Sequence, residues 1–155
     1  MKFLCDQMLG TLAKWLRIFG FDTFYANAEI RDEDLLRIAK KENRIIVTRD
    51  KQFARKGKKE NLQIIEINTT DLDEQLHHIL GNTDINEDDI LSRCSLCNTI
   101  LDEIEKSNVK NKVPQRVFEN NEKFWFCPKC DKIYWMGSHY GKIIKKIDMI
   151  KKLKR

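Results

Sequence analysis

The stretch Arg44-Ile45-Ile46-Val47-Thr48-Arg49-Asp50 constrains this chain more than any other. Its four consecutive β-branched residues favour a pleated strand, and the apolar run is too short for a helix. It ends on a hydroxyl, a base and a carboxylate. The chain opens with the same design, Lys2-Phe3-Leu4-Cys5 running straight into Asp6. Parallel α/β sheets bind ligands just beyond the carboxyl ends of their strands. Two carboxylates at two such ends, with Asp32 at the start of the helix that feeds the second strand, form an acidic cluster suited to a divalent metal.

The surrounding pattern supports a parallel sheet. Leu9, Leu12, Ala13, Leu16 and Phe19 recur at helical spacing across residues 8–19, with Gly20 placed to end the helix. Phe21–Ala26 reads as a strand, and Asp32-Glu33-Asp34 opens a helix carrying Leu35, Leu36, Ile38 and Ala39. Leu62–Ile67 reads as a further strand, and Asp71 caps a helix closed by Gly81. Strands alternating with helices imply a first α/β domain over residues 1–83. Residues 84–91 read as an acidic connector. Short strands and turns around cysteines then occupy 92–141, where Asn120-Asn121 looks like a hairpin turn. The tail, 142–155, gathers Ile143, Ile144, Ile147, Ile150 and Leu153 on one helical face, with seven Lys/Arg around the rest. That basic amphipathic helix can meet a polyanion, a membrane surface or the first domain, and docking of its isoleucines on protein is the favoured reading.

Cysteine spacing defines a second constellation. Cys94-x-x-Cys97 and Cys127-x-x-Cys130 can aim four thiolates at one point, the tetrahedral arrangement of structural zinc. The 29 residues between the pairs leave room for a three-stranded ribbon. A redox dithiol does not account for two pairs, and with four sulfurs available His139 is not required as a ligand. A closed site of this kind holds the fold and offers no open position for substrate. Cys5, alone in an apolar strand, reads as a buried small hydrophobe. The odd count of five cysteines argues against a disulfide framework.

Charge is unevenly divided. Residues 1–91 carry 14 Lys+Arg against 17 Asp+Glu, a net of −3, whereas residues 92–155 carry 15 against 7, a net of +8. An acidic catalytic part joined to a basic, polyanion-seeking part is one reading, and a solvated lysine-rich surface is the other. No apolar run approaches the roughly 18 residues a membrane span requires, and no secretory signal is evident. The expectation is a soluble, cytoplasmic protein.

Asp6, Asp32 and Asp50 are the candidate catalytic and metal-holding acids, with Thr48 beside them. Asp32 has a competing duty as the helix N-cap, and Glu33 and Asp34 read as first-turn acids that complement the helix dipole. Asp32-x-x-Leu35-Leu36-x-x-Ala39 followed by Thr48-Arg49-Asp50-x-x-Phe53 resembles the paired acidic motifs of the PIN-like nuclease superfamily, and Asp6 matches its opening acid. More closely, residues 1 to about 145 resemble the PIN-like RNase domain found at the C-terminus of mutator exonucleases, the Mut-seven C-terminal RNase family. Gly10-Thr11-Leu12-Ala13-Lys14-Trp15-Leu16-Arg17 with Gly20 matches its first helix. Arg93-Cys94, Cys97-Asn98, Val113-Pro114, Cys127-x-x-Cys130 and Tyr134-Trp135-x-Gly137-Ser138-His139 match its zinc ribbon. The resemblance implies a PIN-like parallel sheet flanked by helices, a four-cysteine zinc ribbon and a metal-dependent ribonuclease. Its cofactors would be structural Zn²⁺ and catalytic Mg²⁺ or Mn²⁺. Most PIN nucleases add a Glu from a helix between the first two matched acids. Residues 7–31 offer only Asp22 and Glu29 for that duty.

Single-stranded RNA is held by basic grooves with aromatic faces. Arg49, Lys51, Arg55 and Lys56 follow Asp50 directly or sit beside it, and Lys14 and Arg17 lie on one face of the first helix. Phe124, Trp125, Phe126, Tyr134 and Trp135 serve either as the small core of the ribbon or as stacking surfaces. The functional expectation is a metal-dependent ribonuclease acting on single-stranded RNA. The alternative is a non-catalytic RNA-binding module on a PIN scaffold. A homo-oligomer is compatible with either.

Overall fold

The structure, a computed structural model, describes residues 1–26 and 29–152. Its first unit alternates β1 (Lys2–Cys5), α1 (Gly10–Ile18), β2 (Asp22–Tyr25), α2 (Asp32–Glu42), β3 (Ile45–Thr48), α3 (Lys51–Lys59), β4 (Ile64–Glu66) and α4 (Leu72–Leu80). The four strands form a wholly parallel sheet in the order β2-β1-β3-β4. The chain steps from β1 out to β2, then returns past β1 to lay down β3. The junction of β1 and β3 is therefore where the winding direction reverses.

Period-two alternation divides each strand between two cores. Phe3, Cys5 and Val47 face a layer built with Leu12, Leu16, Leu76 and Leu80 of α1 and α4. Leu4 and Ile46 point the other way, toward Leu35, Leu36 and Ala39 of α2 and Phe53 of α3. The sheet is thus covered on both faces, as near-continuous apolar strands require.

Local chemistry sets the element ends. The helix expected over 8–19 divides, because the Asp6 carboxylate accepts the Met8 N–H at 3.1 Å and winds Gln7–Leu9 into a 3₁₀ turn before α1 begins. Gly20 follows at φ +98°, and a Cβ there would lie 2.5 Å from the Asp89 carbonyl oxygen. Only glycine fits both demands. Asn43, at φ 55°, ends α2 in the left-handed conformation tolerated by Asn. Asp71 caps α4 by accepting the Glu74 N–H at 2.9 Å. The expected strands 21–26 and 62–67 are each shorter at both ends.

Beyond α4, β5 (Asp102–Ile104), α5 (Gln115–Asn120), β6 (Phe124–Cys127) and β7 (Lys132–Tyr134) follow, and the strands form a three-stranded antiparallel sheet in the order β5-β6-β7. The hairpin expected at Asn120-Asn121 is absent: residues 115–120 are helical instead. Pro114, at φ −56°, stands at the N-cap and sets up the first turn. The Asn121 amide then donates to the Val117 carbonyl at 2.9 Å, closing the helix rather than a β-turn.

The last helix, α6 (His139–Lys152), packs along α4 and α1. Ile143 and Ile150 are buried in the same core as Leu12 and Leu76, with Ile144 and Ile147 against it. The expected docking of the isoleucine face is what the structure shows. Leu153 lies outside the described residues. Among the described residues, no helix is long and apolar enough to cross a membrane.

Candidate active site and metal centre

The carboxyl ends of β1 and β3 meet at the reversal point of the sheet, where open α/β folds gather their ligands. Thr48, the last residue of β3, is fully buried and joins the two acids beside it. Its hydroxyl donates to the Asp6 Oδ2 and accepts the Asp50 backbone N–H at 2.9 Å. Asp50 in turn caps α3, its Oδ1 accepting the N–H groups of Gln52 at 2.9 Å and Phe53 at 3.2 Å. Asp6 is 7% exposed, so its carboxylate shows only an edge to solvent. Asp50 is exposed.

Asp32 reaches the same place from α2. The competing reading of Asp32 as a cap does not hold, because the N-cap is Arg31 and no side chain caps that helix. Asp32 is the first helical residue, free to face outward, and its Oδ2 meets the Lys56 ammonium of α3 at 3.2 Å. Asp6, Asp32 and Asp50 line one cleft with a volume of about 220 Å³, together with Gln7, Arg31 and Phe53. Gln7 and Arg31 carried no signal in the sequence beyond adjacency to an acid. Among the described residues, the aspartates do not form a group whose oxygens all lie within 4.8 Å of one another; only the four cysteines do. Asp22 is no substitute acid, since it starts β2 and therefore lies at the opposite end of the sheet. There it pairs with Arg44 at 2.8 Å and accepts the Asn98 amide at 2.7 Å.

The cysteine cluster is compact. Cys97 and Cys127 sulfurs lie 3.4 Å apart, and those of Cys94 and Cys130 lie 3.9 Å apart. A tetrahedron of sulfurs about 2.3 Å from zinc has edges of about 3.8 Å, so these separations fit the ion and lie far outside a disulfide bond of about 2.05 Å. Burial acts to raise the Cys97 thiol, but hydrogen bonds from Thr99 and the neighbouring cysteines outweigh it and bring it down to about 6. Cys130, hydrogen-bonded to Cys97, is pushed up to about 12. The four cysteines can hold a metal such as zinc, and Tyr134 adds its hydroxyl 3.0 Å from the Cys94 sulfur. Cys5 is different: fully buried, its thiol is pushed up and inert, the small hydrophobe expected.

The basic residues separate into two kinds. Lys51, Arg55 and Lys56 are exposed along α3, and Arg49 is half-buried. Lys14 is exposed on α1. Arg17, expected to touch RNA, is instead 8% exposed. Its guanidinium donates to the carbonyl oxygens of Thr23 at 2.9 Å, Ser95 at 3.2 Å and Leu96 at 3.1 Å. Arg17 is a strut tying the sheet unit to the first Cys-x-x-Cys turn, reinforced by the Thr23 N–H donating to Asn98 at 3.0 Å.

A parallel sheet with acids at its reversal point, followed by a four-cysteine ribbon, defines a PIN-like α/β protein with an appended module able to hold a metal. The family model for the Mut7-C RNAse domain matches residues 1–147, nearly the whole chain, and the protein belongs to that family. No individual curated protein and no solved structure matches it.

Proposed function

We propose that this protein is a metal-dependent ribonuclease whose reaction centre is the Asp6, Asp32 and Asp50 cleft. The observation that carries this reading is the convergence of three carboxylates from separate elements on one polar cleft. Family membership in a group of RNase domains supports it independently. Carboxylate oxygens around a solvent-open cleft are the hard donors that Mg²⁺ and Mn²⁺ take. A divalent cation held there supplies Lewis-acid stabilisation of the charge that develops on a phosphodiester.

The chain's own residues account for the rest. Thr48 fixes the Asp6 carboxylate through one hydrogen bond and the Asp50 backbone through another. The caps on Gln52 and Phe53 occupy the Asp50 Oδ1. Lys56 neutralises Asp32 in an exposed pair, an interaction of at most about 1 kcal/mol that an incoming cation can replace. Arg49 and Lys51 flank Asp50 in the chain and Arg55 follows a turn along α3, and these bases can neutralise flanking phosphates of single-stranded RNA. The second reading, a non-catalytic RNA-binding module, draws on the spread of the three aspartates and on the lack of a fourth acid among the described residues lining the cleft.

Incubation of the purified protein with labelled RNAs, with and without Mn²⁺, discriminates the two. Metal-dependent cleavage that disappears in Asp50→Asn supports the enzyme. Asn keeps the helix cap, so the variant stays folded, whereas Asp50→Ala also costs about 0.5–2 kcal/mol of stability. Cleavage that survives Asp50→Asn overturns the assignment. RNA binding without product from any RNA tested favours the binding module.

A further inference from the structure

A second cavity, larger than the acidic cleft, opens between α1, the ribbon strand β7 and the start of α6, with a volume of about 430 Å³. This lies in the range of roughly 300–1,000 Å³ taken by pockets for small ligands. Its floor is apolar, formed by Ile18, Leu91, Ile133 and Ile143. Trp15, Tyr134 and Trp135 supply aromatic surface. Lys14, Arg93, Lys132 and Lys142 stand around it with His139, and among the described residues no carboxylate lines it. In a chain with 24 Asp+Glu against 29 Lys+Arg, a wall of this size with a single sign of charge selects for an anion.

Each feature has a separate structural cause. Tyr134 is pinned by its hydroxyl at the Cys94 sulfur, so its ring position depends on the metal centre. The Lys132 ammonium lies 5.1 Å from the Tyr134 ring centroid, and the Lys146 ammonium 5.1 Å from that of Trp15. Gly137 sits at φ +45°, and a Cβ there would press on the Trp135 ring from 3.1 Å. That ring is only half-buried. Neither Lys14 nor Lys142 forms an ion pair among the described residues. Flat rings over an apolar floor with unpaired ammonium groups at the margin recognise a planar, negatively charged partner. Single-stranded RNA has both properties in every nucleotide, a base to stack and a phosphate to neutralise.

We infer that this groove is a second RNA-contact site, in which a base stacks on Trp135 while Lys14 and Lys142 hold adjacent phosphates. The inference rests on the proposed RNA substrate but not on the chemistry of the acidic cleft. Lys14 lies about 6 Å along α1 from Gly10, and that helix starts just past Asp6, so one strand of RNA can run from the groove to the acids. The ribbon then acts as a substrate guide rather than only as a brace. A duplex, with its bases stacked inward, gains nothing from the ring.

Anisotropy of a fluorescein-labelled oligouridine of about 12 nucleotides, within the span of a single-strand groove, measured with no added divalent cation, tests this. The comparison uses the full chain, Trp135→Ala and the double variant Lys14→Ala/Lys142→Ala. Trp135→Ala is expected to weaken binding about 5- to 100-fold. The double lysine variant is expected to flatten the slope of log affinity against log salt by about 1.4, the loss of two phosphate contacts on a single strand. Its substitutions are at exposed positions and leave the fold intact, so the test stands even if Trp135→Ala disturbs the ribbon. Wild-type affinity and salt slope in both variants overturn the inference. Those results leave the ribonuclease reading intact, because Asp50→Asn tests it separately. A wild-type chain that cleaves RNA at Asp50 yet shows no groove dependence sinks only the groove; one that neither binds nor cleaves RNA sinks both.

Discussion

Thr48 holds the candidate site together at the scale of a single side chain. It is fully buried, and its hydroxyl serves Asp6 as donor and Asp50 as acceptor. Thr48→Val keeps the β-branched shape and removes both bonds, leaving a carboxylate oxygen and an N–H without their partner. The expected loss is about 1–3 kcal/mol of stability, read as a lower urea midpoint at unchanged slope. The proposed RNA cleavage should fall with it as the two acids lose their mutual register. Asp22 gives a different signal. Burial works to raise its carboxyl, but hydrogen bonds from Asn98 and Arg44, with the Arg44 charge, hold it below its usual value of about 4. A depressed folded-state pKa contributes stability that is complete above the unfolded value and is lost as pH falls through the folded one. The wild type should therefore lose stability below about pH 4 more steeply than Asp22→Asn, a comparison that urea midpoints from about pH 2 to 6 can make.

Helices and strands differed in how much of themselves the sequence disclosed. The strand after Arg44 and the acid at its end were legible because four β-branched residues admit few other conformations. Both Cys-x-x-Cys turns were legible for a similar reason, since the spacing itself is the geometry. Residues 115–120 were not, because Val117-Phe118 and Phe124-Trp125-Phe126 flank Asn-Asn as strands would flank a hairpin. What decided otherwise was Pro114 and a long-range contact, the Lys106 ammonium 5.0 Å from the Phe118 ring centroid. Arg17 looked like a surface cation on a helix. Two of the three carbonyls that absorb it come from Ser95 and Leu96, 78 and 79 residues further on, which no local pattern contains. The isoleucine stripe of the tail marked the face of α6 that packs, while the helix starts at His139, before the expected 142. Ile150 is fully buried where α6 meets α4, and its carbonyl oxygen lies 2.5 Å from the His77 ring nitrogen. Truncation by Ile150→Ala should cost about 2–5 kcal/mol, measurable by denaturant unfolding.

Across the whole molecule, acidic and basic groups gather at different places. The acids converge at the sheet reversal point, while cations and aromatic rings line the seam between α1, the ribbon and α6. The order of the chain has a further consequence during synthesis. The first core contains Phe3 and Leu12 from the start of the sequence, and Ile143 and Ile150 from far along it. As the protein leaves the ribosome, β1 must wait for β2 and β3 before it has neighbours on both sides. The layer over α1 and α4 then stays open until residue 150 has emerged. The nascent chain therefore keeps that apolar face uncovered while every residue between α4 and α6 is being made.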